Sequence, residues 1–103
     1  MNAKEFSASF AAAAFAHAAA QPGNNPYWDN ACRSEAYFPI AFELAVGRKP
    51  SAREVAAYKL DLLERDHEYN VARGKDCHGF IVDPREPHIL VKQRRLVGRL
   101  AAS

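Results

Sequence analysis

An all-α domain of four to five helices is the fold this sequence predicts, and three observations point to it. The first 20 residues are half alanine, the strongest helix former. An almost continuously apolar stretch follows over 36–46, and an S-x-x-E capping box at Ser51–Glu54 then opens a long segment with helical periodicity. At 103 residues, 49% hydrophobic and 25% charged, the chain fits one globular domain with one core, assigned here to residues 1–103.

The first helix is expected over about 3–21. Asn2 is its N-cap and Glu5, three residues on, its capping-box partner. Phe6 and Phe10 share a face, with Phe15 near it. Pro22-Gly23 ends the helix. Lys4 followed by alanines resembles a secretory leader. Glu5, Ser7, Ser9 and His17 interrupt that stretch, however, and no Leu, Ile or Val strengthens it. It is therefore read as a structural helix and not as a targeting segment.

The second segment spans about 26–46, with Pro26 at the first helical position. Pro39 removes one helical hydrogen bond, so two helices over 26–36 and 38–46, or one kinked helix, are expected. Residues 36–46 (AYFPIAFELAV) are apolar on nearly every side, with Glu43 the lone charge. Such a helix is expected at the centre of the core. Trp28 is read as a core anchor where the preceding loop meets the helix.

Gly47 caps that segment, and the third helix is expected from Ala52 to about Val71, stopping before Gly74. Its apolar residues fall in two stripes: Val55, Tyr58, Leu62 and Tyr69, then Ala56, Leu60, Leu63 and His67. Glu54, Asp61, Glu64, Arg65 and Glu68 occupy the side left for water. Two stripes imply two neighbours, both within the chain or one on a partner.

The C-terminal part reads two ways. Gly79–Val82 has strand composition and Asp83–Pro87 is turn chemistry. The favoured reading is a short extended piece followed by a helix opened by Pro87. The alternative is an α+β fold with a hairpin around residues 79–92.

Composition narrows function mostly by exclusion. Residues 1–68 carry a net charge of −2 and residues 69–103 a net charge of +4, within an overall +2. Basic side chains thus gather at the C-terminal end. No apolar run reaches the ~20 residues of a membrane span, so no membrane partner is expected. Two isolated cysteines, Cys32 and Cys77, favour a reduced, cytoplasmic setting over a disulfide framework.

Cys32 with His78 and Asp83 can be written as a catalytic triad. Nothing in the sequence lowers the thiol pKa or marks a cleft, so Cys32 is read as a small core residue. His67, Cys77, His78 and His88 lack the short ligand spacings of zinc sites. Neither a phosphate-binding glycine loop nor a nucleophile elbow is present. No cofactor and no catalytic activity are therefore expected.

Two partner-facing features remain. One is helix 52–71, with Tyr58, Arg65 and Tyr69 as the expected contacts. The other is the basic run Lys92, Arg94, Arg95 and Arg99. Together they suggest a small non-catalytic protein that docks onto a larger protein or nucleoprotein complex. Bacterial and phage accessory inhibitors offer the analogy. Direct nucleic-acid binding through the basic run is the alternative, although the aromatic residues that mark single-strand binding are missing there. A cysteine-dependent hydrolase or a metal protein is the third reading. An exposed stripe on helix 52–71 would also suit a homodimer.

Overall fold

The computed structural model describes residues 2–20, 26–75 and 79–102, and within the second helix the side chains from Ser34 onward. It contains four helices in these residues: α1 (Ala3–Ala19), α2 (Pro26–Val46), α3 (Ala52–Arg73) and α4 (His88–Ala102). The predicted all-α class is the one observed. Trp28, Cys32, Pro22-Gly23, Cys77 and His78 lie outside the described side chains or residues.

Local chemistry sets the helix ends. Asn2 accepts the Glu5 backbone N–H at 2.8 Å and starts α1. Ser51 Oγ accepts from Glu54 N at 3.1 Å, while Ser51 N donates to Glu54 Oε1 at 2.9 Å. This reciprocal box satisfies two donors that the first turn of α3 would leave unpaired. At the other end Gly74 adopts φ +74° and its N–H reaches Val71 O. A side chain is disfavoured in that left-handed conformation, so glycine stops α3 cheaply.

Of the two alternatives expected for residues 26–46, one helix is observed, running unbroken through Pro39. Phe38 and Phe42, on either side of Pro39, both pack fully buried into one cluster, and this shared packing outweighs the lost hydrogen bond. At the C-terminal end the favoured reading holds, a short non-helical piece leading into a helix, and the alternative hairpin around 79–92 is absent. Ile81 pairs backward with Lys75 in an isolated bridge, and residues 88–92 are already helical. Pro87 O accepts from Leu90 N and Val91 N, which places Pro87 at the start of α4.

The core is aromatic. Tyr58 of α3 lies flat on Phe38 of α2, with ring centroids 4.1 Å apart and planes 6° from parallel. Phe6 of α1 meets Phe42 edge-on at 5.8 Å, and Phe10 of α1 reaches Tyr58 at 5.7 Å. Each such pair adds about 0.5–1.5 kcal/mol to the burial of its area. Ala11 is fully buried beside them, its small side chain admitting neighbours close to the α1 backbone.

The two stripes of α3 find two neighbours within the chain. Tyr58 and Leu62 join the cluster with α1 and α2, and Tyr69 meets Phe15 of α1. On the other side the Ala56 carbonyl accepts from Gln93 Nε2 of α4 at 2.9 Å, and Leu63 shares a cleft with Leu90. Among the described residues α4 packs on α3 alone, while α2 packs on α1 and α3. No described helix packs on the outer side of α4 or on the side of α2 turned away from α1 and α3.

Candidate docking surfaces

The outer side of α2 is apolar. Tyr37, Ile40 and Leu44 are 64, 61 and 84% exposed. Their i, i+3, i+7 spacing puts them within a sector of about 60°. That sector points directly away from Phe38 and Phe42, which are 0% exposed. An all-apolar helix was expected to be buried all round. Among the described residues α2 packs on α1 and α3 only, so its other apolar side stays in water. The signal for this stripe was present in the 36–46 periodicity. The count of neighbours available to α2 was not.

The outer side of α4 is basic. Lys92, Arg95 and Arg99 are exposed and share a sector of about 60° opposite Leu90 and Gln93. Arg94 sits apart from them, on the flank. It forms a two-pronged pair with Glu86 at 2.8 and 2.9 Å and lies 3.6 Å from Glu64. These carboxylates raise its pKa, and Arg94 in turn lowers that of Glu86.

The structure does not unite the expected contacts of α3. Tyr58 is corrected outright: it is 2% exposed and cannot reach a partner. Its hydroxyl lies 2.9 Å from Ser34 Oγ, and burial raises its pKa. Arg65 is held 2.7 Å from Asp61 along the same helix. Tyr69 is half-buried between Phe15 and the Arg73 guanidinium, which stands 4.8 Å above its ring. Of the α3 stripes, Ala56, Tyr58, Leu62 and Leu63 are buried by the chain itself, while Val55 stays 38% exposed.

A cleft of about 610 Å³ separates the C-terminal half of α3 from the 81–90 segment. Leu63, Ile81, Val82, Ile89 and Leu90 supply its apolar lining. Asp66 is its least solvated carboxyl: burial raises its pKa, and an Asn70 amide at 3.3 Å partly offsets this. His67 Nε2 lies 3.4 Å from Pro84 O, tying the loop to α3. Asp66 and His67 are sequence neighbours on α3 and both line this cleft. Among the described residues no cluster of three His, Cys, Asp or Glu side chains is placed to hold a metal ion. No described helix is long and apolar enough to cross a membrane.

Comparison of the chain with protein-family models, with curated proteins and with solved structures finds no match.

Proposed function

We propose that this chain is a non-catalytic docking protein that presses the outer face of α2 into an apolar groove of a larger protein, as a small regulator or inhibitor. One observation carries the reading: Tyr37, Ile40 and Leu44 stand in water on the side of α2 that the fold does not use. Anchors at i, i+3 and i+7 are the pattern by which a helix engages a groove. Tyr37 adds an aromatic anchor of the kind that dominates interface energies.

The area favours a groove over a second copy of α2. Three side chains of this size expose roughly 400 Å², about half of what each partner contributes to a standard interface. Two flat helices meeting face to face would bury little more. A groove also encloses the flanks of the helix.

The test is quantitative co-purification from the native host, with wild type beside two variants. Ile40→Lys/Leu44→Lys should lose a partner at least tenfold, while Lys92→Gln/Arg95→Gln should keep it. Equal recovery with all three proteins would defeat the proposal. So would a wild-type mass in light scattering that doubles with concentration and returns to monomer in the α2 variant, since the second copy would then be the occupant.

A further inference from the structure

We propose a second, independent binding surface: the outer face of α4 binds the phosphate backbone of double-stranded nucleic acid through Lys92, Arg95 and Arg99, independently of base sequence. The structure sharpens the four-residue basic run into a three-residue line. Arg94 drops out because Glu86 and Glu64 already neutralise it. Arg48, Arg65 and Arg85 are likewise paired, with Glu54, Asp61 and Asp83. Among the described residues Lys92, Arg95 and Arg99 have no ion-pair partner, and α4 itself carries no acidic residue. His88 extends the same line by one turn.

The helix dipole does not account for this line. A cation in the last turn is favoured, which suits Arg99. Lys92 lies in the second turn of α4, where the dipole neither favours nor disfavours a cation. Like charges at i, i+3 and i+4 also repel along the helix. The arrangement works slightly against α4 and becomes favourable when an anionic surface lies across it.

Three cationic heads span about 10 Å of helix axis, a length over which a duplex presents several phosphates. A single strand fits less well, because α4 offers no aromatic ring for base stacking. A lipid surface also fits less well. Membrane-lying helices bury an apolar face, and here Leu90, opposite the basic line, is buried against α3.

The experiment is fluorescence anisotropy of a labelled DNA duplex titrated with the whole chain at two salt concentrations. Three phosphate contacts predict a log–log salt slope of about −2.7, or roughly forty-fold weaker binding between about 50 and about 200 mM salt. Lys92→Gln/Arg95→Gln/Arg99→Gln should abolish binding while melting like the wild type, and Arg94→Gln should keep the slope. Vesicles of mixed phosphatidylserine and phosphatidylcholine should not sediment the protein. Absence of salt-sensitive anisotropy overturns the proposal. It also fails if the triple variant binds like wild type, or if vesicles are bound and the duplex is not.

Discussion

Replacing Glu54 by Gln tests how the turn between α2 and α3 is held. The Glu54 carboxylate receives Arg48 Nη1 at 2.7 Å, Arg48 Nη2 at 2.9 Å and Ser51 N at 2.9 Å. These donors, Arg48 foremost, pull its pKa from the ordinary 4.5 down to about 2. A depression of that size links to at most roughly 3 kcal/mol of stability at neutral pH. The Glu54 side chain is 24% exposed but Arg48 is 54% exposed, so solvent screens the pair. The expected loss in Glu54→Gln is therefore about 1–1.5 kcal/mol, or roughly 5–10 °C in Tm for a domain of this size. The sign with pH follows from the lowered carboxyl. Its contribution is complete above the unfolded value near 4.5 and is lost as pH falls through about 2. Thermal melts followed by circular dichroism should show a wild-type advantage at neutral pH that closes over that window. A gap that persists unchanged into strong acid, or no gap at neutral pH, would refute the reasoning.

Four further outcomes follow from the core packing and the backbone. Phe42→Ala empties a fully buried site shared with Phe6 and Phe38, and urea unfolding should show a loss of about 3–5 kcal/mol. Tyr58→Phe keeps the stacked ring but removes the hydroxyl beside Ser34, which should cost about 1 kcal/mol; an equally stable variant would mean that this hydrogen bond adds nothing. Neither Gly74 nor Gly98 has atoms within 4 Å of an added Cβ, so alanine tests the backbone alone. Gly74→Ala should destabilise by about 1 kcal/mol because φ is +74°, whereas Gly98→Ala inside α4 should stabilise by about 0.5–1 kcal/mol.

What the sequence revealed depended on whether a signal was local. The ends of α3 were readable because Ser51, Glu54 and Gly74 act within one turn of themselves. The basic line on α4 was readable in composition, but not the withdrawal of Arg94. That withdrawal depends first on Glu86, eight positions back across the turn into α4, and then on Glu64, thirty positions away on another helix. Pro39 leaves one helix and two both open at the level of sequence, and Phe38 and Phe42 seating in one cluster favour the single helix. The buried members of both α3 stripes, Tyr58 with Leu62 and Ala56 with Leu63, are legible in the periodicity, but Val55 stays 38% exposed and periodicity does not say who covers a stripe. Here α1 and α2 take one and α4 the other, and the uncovered apolar face falls on α2 instead.

That face is best tested in the free protein, by the thermal stability of Ile40→Lys/Leu44→Lys. If Tyr37, Ile40 and Leu44 take no part in folding, removing two of them should leave Tm within a few degrees of wild type. Lysine is a good helix former, and near the α2 C-terminus a cation is favoured. A fall comparable to that of Phe42→Ala would show that the stripe serves the fold itself, and nothing would then be left on α2 to meet a partner.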